Sequence, residues 1–348
     1  TCISEPAVLH GLLAAGDLLA DHAPEECRRK LEHLLRDARD EAALARVLRQ
    51  FRRQQMLRIA WRDLAGWAPL GEVLLDLSAL ADACVGSALD CLGGWAVKQL
   101  GTSAGKLSPS LVVLGMGKLG ARELNFSSDI DLIFAYPDDE PGWNRRRLSP
   151  DEFSLQLGQQ LIRVLDSQTE DGFVFRVDMR LRPYGDSGPL AANFDALADY
   201  YQLQGREWER YAMIKARPVA GPQQATAQLM QLLQTFVYRR YLDFGAFDSL
   251  RSLKEQIVRE VERKGMQDNV KLGPGGIREI EFIAQAFQLV RGGRQPVLQQ
   301  RGVLNVLDAL AVLGYLPAQA SQQLAEAYVF LRRTENRLQA FEDQQVHE

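Results

Sequence analysis

The sequence predicts an α+β fold that is mostly helical, with a small mixed sheet flanked by N-terminal helices and a C-terminal helical bundle. Apolar residues recur at three- and four-residue spacing through most of the first 100 residues and again from about residue 225, which is the period of an α-helix. Between these regions, short apolar runs are bounded by glycine or proline, a pattern typical of buried strands. Helical regions on both sides of a strand-bearing segment indicate the α+β class.

Two changes in composition divide the chain into three predicted domains. Glycine, serine, lysine and proline are concentrated at 101–110, and a second break lies at 218–221. We predict an N-terminal helical region at 1–105, a mixed domain at 106–221 and a C-terminal helical bundle at 222–348. Glycine-rich breaks at 273–276 and 292–293 and a proline at 317 separate the helices of the bundle.

Composition and charge limit the classes of function. The 348 residues carry a formal net charge of −4, so there is no global basic field for nonspecific binding of nucleic acid. No window of about 18 apolar residues is free of charge, so no membrane span is expected. The chain begins with threonine and its first residues do not resemble a signal peptide, so we expect a piece of a longer cytoplasmic protein.

The cysteines and histidines argue against a zinc site or a histidine-based triad. None of the four cysteines forms a Cys-x-x-Cys pair, and the four histidines lie toward the two ends of the chain. Cys84 and Cys91 are seven residues apart in a predicted helix, so we expect them to share a buried face. Free cysteines are typical of a reducing cytoplasm.

An arginine-rich helix is predicted over 41–65. We expect its arginines to form a solvated face, and the alternative is that some of them bind an acidic partner or a phosphate. The arginines that interleave with its apolar residues are Arg46, Arg49, Arg52, Arg53, Arg58 and Arg62.

Three strands and three helices are predicted in the mixed domain. Strands are expected at 111–114, 131–136 and 172–181, with a helix at 151–165 between the second and the third. The turn-forming sequence Pro-Tyr-Gly-Asp at 183–186 follows the third strand. Helices are expected after it at 193–204 and 207–215.

Two aspartates stand at the start of the second predicted strand. Because side chains alternate along a strand, Asp129 and Asp131 point the same way, while Ile130 and Leu132 point into the core. Two neighbouring carboxylates repel each other, and a divalent cation removes that cost. Mg²⁺ prefers hard oxygen ligands and commonly takes one or two carboxylates together with substrate phosphate oxygens. This pair is therefore a candidate Mg²⁺ site.

A glycine-rich turn at 115–120 precedes these aspartates. Glycine lets the backbone approach a ligand and offers N–H groups to anionic oxygens, so Gly117 is a candidate phosphate contact. Lys118 adds a point charge, and Ser128 is a further candidate contact to a nucleotide phosphate or a turn-forming residue. The turn is not a Walker A loop, because Ser or Thr does not follow the Gly-Lys pair.

The third predicted strand carries a polar face. Strict alternation places Arg176, Asp178, Arg180 and Arg182 on one side of it. Facing Asp129 and Asp131, this side would supply Asp178 as a third metal ligand and guanidiniums for phosphate, whereas on an open sheet it would be solvated. A glycine turn, an Asp-x-Asp strand and a later aspartate together predict a metal–nucleotide site.

This arrangement resembles nucleotidyltransferases of the DNA polymerase beta type. Their pattern is a Gly-[Gly/Ser] turn, an Asp-h-[Asp/Glu]-h strand and a third carboxylate on a later strand. Here Gly117 and Lys118 replace the usual Gly-Ser pair. The resemblance implies a small polymerase-beta-like sheet as the catalytic core.

Longer strings resemble the bifunctional glutamine synthetase adenylyltransferase/deadenylylase family. They are Gly-Met-Gly-Lys-Leu-Gly-Ala-Arg-Glu-Leu-Asn-Phe-Ser-Ser-Asp-Ile-Asp-Leu-Ile-Phe (115–134), Val-Asp-Met-Arg-Leu-Arg-Pro-Tyr-Gly-Asp-Ser-Gly-Pro-Leu (177–190), Trp-Glu-Arg-Tyr-Ala-Met-Ile-Lys-Ala-Arg (208–217) and Gly-Gly-Ile-Arg-Glu-Ile-Glu-Phe-Ile (275–283). That family carries two similar halves. One half attaches AMP to a tyrosine of glutamine synthetase, and the other removes it by phosphorolysis with release of ADP.

The resemblance implies one half of such an enzyme. Leu-Asn-Phe-Ser-Ser-Asp-Ile-Asp (124–131) is more similar to the N-terminal, deadenylylating half, since the adenylylating half tends to show Leu-Gly-Tyr-x-Ser-Asp-Leu-Asp. We therefore expect removal of AMP from glutamine synthetase. The alternatives are AMP transfer from ATP onto glutamine synthetase, and a noncatalytic regulatory module that keeps the fold.

The resemblance also implies ligands and partners. Asp129, Asp131 and Asp178 are expected to bind Mg²⁺, and Arg180 and Arg182 are candidates for holding the incoming phosphate. Inorganic phosphate, ADP or ATP, glutamine synthetase and the uridylylated PII signal protein are the expected ligands and partners. Further residues whose roles stay open are Glu209, Arg210, Lys215, Arg278, Glu279 and Glu281.

Overall fold

The computed structural model describes residues 6–20, 23–99, 110–138, 149–239 and 269–340, together with separate positions between 251 and 266. It confirms an α+β chain that is mostly helical and contains a small mixed sheet. Two compact units are present. Unit 1 comprises Thr1–Leu124, Ser128–Leu197 and Arg217–Met230, and unit 2 comprises Asn125–Ser127, Ala198–Ala216 and Gln231–Glu348.

Helices occupy the N-terminal part of unit 1. They are α1 (Pro6–Ala15), α2 (Pro24–Leu34), α3 (Glu41–Leu64) and α4 (Leu70–Gln99). The predicted arginine-rich helix is α3, and its start is fixed by Asp40, whose Oδ1 accepts from the N–H of Ala43 at 2.8 Å. α4 is buried along most of its length because α2 and α3 pack against it. The apolar composition of α4 therefore reflects a position inside unit 1.

The expectation of a solvated arginine face on α3 is wrong for Arg49, Arg58 and Arg62, which are buried. Arg58 Nη1 donates to Asp76 Oδ2 at 2.7 Å, and Arg62 Nη2 donates to Glu72 Oε1 at 2.6 Å. Both acidic residues lie on α4. A buried guanidinium is tolerated when it is paired and hydrogen-bonded, and these two arginines are paired within the chain. Binding of an acidic partner or a phosphate by other arginines of α3 stays a prediction.

The sheet and its helices follow α4 along the chain. Their bounds are β1 (Val112–Gly115), α5 (Gly117–Ala121), β2 (Ile130–Tyr136), α6 (Pro150–Asp166), β3 (Val177–Asp178), β4 (Ala191–Asn193) and β5 (Arg217–Ala220). The strands predicted at 111–114 and 131–136 and the helix predicted at 151–165 are confirmed with shifts of one residue. Ser149 and Glu152 form a capping box that fixes the start of α6.

The sheet is built around β2. Strand β1 runs antiparallel to β2, and β5 runs antiparallel to β1 on its other edge. On the far side of β2, β3 pairs in parallel with Ile130 and Asp131, and β4 pairs in parallel with residues 134–136. The first residues of β2 therefore lie between β1 and β3.

The third strand predicted at 172–181 is wrong in length, because Val177–Asp178 is its extent in the sheet. Before β3, the N–H of Val174 donates to the carbonyl of Leu165 at 2.9 Å; after it, the N–H of Arg182 donates to the carbonyl of Met179 at 3.2 Å. These hydrogen bonds turn the backbone away from the sheet on both sides. The short strands β4 and β5 were not predicted.

The remaining helices are α7 (Phe194–Leu203), α8 (Glu207–Met213), α9 (Gln223–Val237), α10 (Ile277–Arg291), α11 (Val303–Val312) and α12 (Ala318–Ala340). In unit 2, α10, α11 and α12 pack around an apolar core that includes Ile280, Leu307 and Tyr328. This packing agrees with the predicted C-terminal helical bundle. The helices predicted at 193–204 and 207–215 correspond to α7 and α8.

Two further predictions concern the cysteines and the membrane. Cys84 is buried, but Cys91 is partly exposed, so the expected shared buried face is wrong for Cys91. Cys2 and most of the predicted linker at 101–110 lie outside the described residues. Among the helices that the structure describes, none has the length and apolar character needed to cross a membrane.

Candidate active site

Asp131 and Asp178 lie side by side on adjacent parallel strands. In the register of β2 and β3, Ile130 is opposite Val177 and Asp131 is opposite Asp178. Residues opposite each other on neighbouring strands point to the same face, so the two carboxylates share a face of the sheet. Asp131 is half-buried, whereas Ile130 and Leu132 are fully buried, as strand alternation predicts.

The glycine turn after β1 closely approaches Asp131. The N–H of Met116 donates to the carbonyl of Asp131 at 2.9 Å. Gly117 has a φ of +51°, and a β-carbon built on it would lie 2.9 Å from Asp131 Oδ2. Both the left-handed backbone and the close approach require glycine. The turn therefore holds its backbone directly against one of the predicted metal ligands.

Arg217 holds the far end of the glycine turn. Its guanidinium donates to the carbonyls of Leu119 at 3.0 Å and Gly120 at 3.2 Å, and to Asp82 Oδ1 on α4 at 2.8 Å. These bonds satisfy carbonyls of the short helix α5. Sequence reasoning missed this residue, although it is the last residue of the 208–217 string on which the family resemblance partly rests.

Asp129 is bound by an arginine from the segment before β3. Arg176 Nε donates to Asp129 Oδ1 at 2.7 Å, and both side chains are about one-third exposed. The carbonyl of Arg176 accepts from the N–H of Ile130 at 2.9 Å, which fixes the two segments side by side. The predicted encounter between the polar residues around β3 and the Asp-x-Asp pair is therefore present, with a guanidinium on Asp129.

Asp178 is bound by Arg180. Arg180 Nε lies 2.9 Å from Asp178 Oδ2 and 3.1 Å from Oδ1, and the N–H of Arg180 donates to Oδ1 at 2.8 Å. The Arg180 guanidinium holds the pKa of the Asp178 carboxyl below its usual range. Asp178 is therefore ionised at neutral pH, as a metal ligand must be.

The other predicted site residues have different surroundings. Arg182 Nη1 donates to the carbonyl of Met179 at 2.8 Å and lies 3.6 Å from Asp186. Lys118 follows Gly117 on α5, and Ser128 precedes Asp129; both side chains are half-buried. The phosphate-binding roles assigned to these residues stay predictions.

The donor set fits a magnesium ion in its chemistry. Asp129, Asp131 and Asp178 supply hard carboxylate oxygens, and the absence of a β-carbon at Gly117 leaves space beside Asp131. Within the described ranges, no three acidic, histidine or cysteine side chains are grouped as a metal-binding cluster. Asp129 and Asp178 instead bind Arg176 and Arg180. The three-aspartate ligand set therefore stays a prediction.

Two models of known protein families match parts of the chain. The family model of glutamate-ammonia ligase adenylyltransferase matches residues 1–232, which include the glycine turn and all three aspartates. The chain belongs to the glutamate-ammonia ligase adenylyltransferase family. A second family model, GlnD PII-uridylyltransferase, matches residues 251–348.

Curated relatives of this glutamate-ammonia ligase adenylyltransferase family member carry the name bifunctional glutamine synthetase adenylyltransferase/adenylyl-removing enzyme. The relative from Nitrosococcus oceani is 57% identical over 351 residues, which is 100% of this chain and 36% of the relative. The relative from Pseudomonas aeruginosa is 56% identical over 348 residues, which is 99% of this chain and 35% of the relative. The chain thus spans about a third of the length of these relatives.

Glu209 and Arg210, from the 208–217 string shared with the adenylyltransferase family, form structural contacts in unit 2. Glu209 is buried, and its carboxylate accepts from the hydroxyl of Tyr200 at 2.7 Å and from the N–H of Arg206 at 2.9 Å. Arg210 is also buried and donates to the carbonyl of Val237 at 2.9 Å. These contacts fix the start of α8 and its packing.

The 275–283 string contributes an ion pair and a turn. Lys215 Nζ donates to Glu281 Oε1 at 2.7 Å, so these two candidates bind each other within unit 2. Glu279 Oε2 accepts from the N–H of Gly275 at 2.8 Å, which closes the glycine turn before α10. Arg278 is exposed.

Buried polar residues of α12 hold the segment that leads to Asp129. Asn125 Nδ2 donates to Asn336 Oδ1 at 2.6 Å, and the N–H of Ser127 donates to Gln339 Oε1 at 3.3 Å. Asn336 and Gln339 are each 1% exposed, so these hydrogen bonds are sheltered from water. Sequence reasoning missed both α12 residues, because an amide on a helix carries no sign of a distant partner.

Proposed function

We propose that this chain removes AMP from the adenylylated tyrosine of glutamine synthetase by Mg²⁺-dependent phosphorolysis, which gives ADP and active glutamine synthetase. The observation that carries the proposal is the pairing of Asp131 with Asp178 beside Gly117. A metal–nucleotide site needs carboxylates and a closely approaching backbone in one place. The names of the relatives support glutamine synthetase as the substrate protein.

Each site residue has a proposed role. The Mg²⁺ ligands are Asp129, Asp131 and Asp178; when bound, the ion neutralises charge on the phosphate oxygens of the reactants. In this proposal the backbone of Gly117 and the side chains of Lys118 and Ser128 contact the nucleotide phosphate, and Arg180 and Arg182 hold the incoming phosphate. The residues proposed for phosphate binding are Gly117, Lys118, Ser128, Arg180 and Arg182.

The proposed reaction is an in-line displacement at phosphorus. An oxygen of inorganic phosphate attacks the phosphorus of tyrosyl-AMP, a P–O–P linkage forms, and the bond to the tyrosine oxygen breaks. The tyrosine leaves as a phenolate, whose conjugate acid has a pKa of about 10, and then takes a proton from solvent. Because this is a fair leaving group, charge stabilisation carries most of the rate enhancement, and no side-chain nucleophile is required.

The direction of the reaction rests on sequence strings. Leu-Asn-Phe-Ser-Ser-Asp-Ile-Asp (124–131), Asp-Ser-Gly-Pro-Leu (186–190) and Gly-Ile-Arg-Glu-Ile-Glu-Phe (276–282) are more similar to the deadenylylating half than to the adenylylating half. The first of these contains Asn125, whose amide binds Asn336. A glycine at that position, as in the adenylylating half, would lack this hydrogen bond.

Adenylyl transfer from ATP to glutamine synthetase is the second candidate function. The names of the relatives include both adenylyltransferase and adenylyl-removing activities, and the matched region is about a third of each relative. The same aspartates would serve either direction, because both reactions exchange AMP between a tyrosine oxygen and a phosphate oxygen.

One assay separates the two directions. The chain is incubated with adenylylated glutamine synthetase, Mg²⁺ and inorganic phosphate, and ADP is measured. Formation of ADP that depends on phosphate supports the proposal. Transfer of labelled AMP from ATP onto unmodified glutamine synthetase, without release of ADP in the first assay, would replace it with the second candidate.

The wider setting of the site is also proposed. The sheet of unit 1 would be the polymerase-beta-like core, in a catalytic domain at 106–221 between the helical region at 1–105 and the bundle at 222–348. The uridylylated PII signal protein would act as an activator in the cytoplasm. The match of residues 251–348 to a PII-uridylyltransferase family model is consistent with a shared bundle architecture in this regulatory system.

A further inference from the structure

The guanidinium of Arg176 is bound to Asp129, which is one of the proposed metal ligands. Its Nε lies 2.7 Å from Asp129 Oδ1. A hydrogen bond between two ionised groups is stronger than one between neutral groups, although exposure of both side chains to water weakens it. A divalent cation bound by Asp129 would compete for the same carboxylate and would repel the guanidinium beside it.

Arg176 is held on Asp129 by an aromatic residue behind it. The Cζ of Arg176 lies 5.1 Å from the ring centroid of Phe173, and the Cζ of Arg52 lies 4.7 Å from the same ring. A guanidinium over an aromatic face is stabilised by the ring quadrupole. Phe173 therefore restricts where Arg176 can move, and Arg52 on α3 restricts Phe173.

The backbone supports the same position. The carbonyl of Arg176 accepts from the N–H of Ile130, and the next pair in register is Ile130 with Val177. Arg176 and Asp129 therefore precede paired residues on adjacent strands. Their contact follows from the strand register and is not an accident of two long side chains on a surface.

We propose that Arg176 is a positioning residue that competes with the divalent cation for Asp129 and so sets the cation affinity of the site. This inference rests on the proposed role of Asp129 as a metal ligand. Arg176 keeps the Asp129 carboxylate oriented, and it yields the carboxylate when the cation binds. Phe173 and Arg52 fix the strength of this competition by restricting the guanidinium.

The test is direct measurement of Mn²⁺ affinity, by electron paramagnetic resonance or calorimetry, on the full chain without substrate. Arg176→Gln removes the competing charge and should bind Mn²⁺ about three- to tenfold more tightly. Arg163→Gln is the matched control, because Arg163 is also an arginine of unit 1 and its carboxylate partner is Glu41, 3.4 Å away. It should change the affinity less than about twofold.

A second variant keeps the charge of Arg176. Phe173→Leu removes the aromatic face while leaving Arg176 in place, and it should increase the Mn²⁺ affinity by a smaller factor than Arg176→Gln. Circular dichroism and thermal melting verify that each variant is folded. If Arg176→Gln does not fold, an increase in Phe173→Leu supports the inference and an unchanged affinity overturns it.

Two failures are distinguishable. Mn²⁺ binding to the unsubstituted chain that is lost in Asp129→Asn, but is equal or weaker in Arg176→Gln, overturns the competition while leaving the metal role of Asp129 intact. Mn²⁺ binding that is unaffected by Asp129→Asn overturns the metal role and the competition together.

Discussion

Gly117 and Asp131 are packed so closely that a β-carbon on the glycine would lie 2.9 Å from the Oδ2 of the aspartate. Gly117 also has a φ of +51°, which L-residues with side chains rarely adopt. The glycine turn and the strand that carries the proposed metal ligand Asp131 are therefore in close contact at Oδ2 of Asp131. Any side chain at position 117 would have to displace the carboxylate or the turn.

Gly117→Ala should lower turnover by about tenfold or more, because displacement of a reacting group or its ligand by about 1 Å reduces the rate by a large factor. It should also weaken Mn²⁺ binding, because the methyl group would lie against Asp131 Oδ2. Turnover and Mn²⁺ affinity are the two measurements.

Gly66→Ala is the matched control for this substitution. Gly66 also has a positive φ, of +72°, but nothing lies within 4 Å of its β-carbon position. This variant should lose about 1 kcal/mol of stability from backbone strain and keep full turnover. Equal turnover losses in the two variants would assign the effect to strain and not to the carboxylate.

Asp129→Asn combined with Asp131→Asn should reduce turnover by at least about a hundredfold, because neutral amides bind Mg²⁺ poorly. The fold should persist, since Asp129 is about one-third exposed and both changes are nearly isosteric. Asp37→Asn is the control, because Asp37 is exposed and lies 3.8 Å from Arg39, which has no proposed role in the site. Undiminished turnover in the double variant would mean that Asp129 and Asp131 take no part in catalysis.

The first part of the site could be predicted from sequence because it is local. The glycine turn and the strand at 130–136, which carries Asp131, depend on residues within about twenty positions of each other, and strand alternation predicts which side chains of the strand are buried. Asp178 could be added because an Asp among arginines on an alternating strand is unusual without an anionic ligand. The strand register that places Asp178 opposite Asp131 depends on tertiary structure, so the sequence did not predict it.

The rest depended on hydrogen bonds that the local sequence pattern does not encode. The arginines of α3 have the pattern of a solvated face, and nothing local shows that Arg58 and Arg62 meet Asp76 and Glu72 on the next helix. The predicted third strand failed because hydrogen bonds at Leu165 and Met179 divert the backbone, and alternation cannot show them. In both cases, hydrogen bonds that the local apolar pattern does not encode override propensity.

Arg217→Met should destabilise the chain by about 2 kcal/mol at pH 7, because it leaves Asp82 mostly buried without its partner. It also removes donors from the carbonyls of Leu119 and Gly120 at the end of the glycine turn. Urea denaturation measures the loss. Asp82→Asn in the Arg217→Met background should recover part of it, because no charge is then left buried; a further loss would show that the Asp82 charge is not the cause.

The same pair predicts a pH dependence. Burial raises the pKa of the Asp82 carboxyl above its ordinary value of 3.8, although Arg217 opposes the shift. Because the pKa is higher in the folded chain, protonated Asp82 favours the folded state and ionised Asp82 disfavours it. The stabilisation by protonated Asp82 is therefore present at low pH and is lost as pH rises through the folded pKa. The destabilisation caused by Arg217→Met should therefore be largest at neutral pH and should shrink toward pH 4. A difference in stability that is constant from pH 4 to pH 7 would contradict this account.

Asn125 and Asn336 should show an energetic coupling of about 1 kcal/mol in a double-mutant cycle with Asn125→Ala and Asn336→Ala, since their buried amides form a direct 2.6 Å hydrogen bond. Each single variant leaves the other amide buried, so each should cost more than half of the double variant. Hydrogen exchange at the N–H of Ser127 should quicken in Gln339→Ala, whose side chain accepts from it.

Asp129 follows Ser127 by two residues, so weaker hydrogen bonds at residues 125–127 would let the Asp129 carboxylate adopt more positions. Turnover measures the effect of this change on the reaction. Asn336→Ala should therefore lower kcat by several-fold with Mn²⁺ still bound, whereas Asn305→Ala, an exposed position on α11, should leave kcat unchanged. A stability loss without any change in kcat would limit Asn336 to folding. A parallel loss of both would mean that the hydrogen bonds of residues 125–127 also matter for turnover.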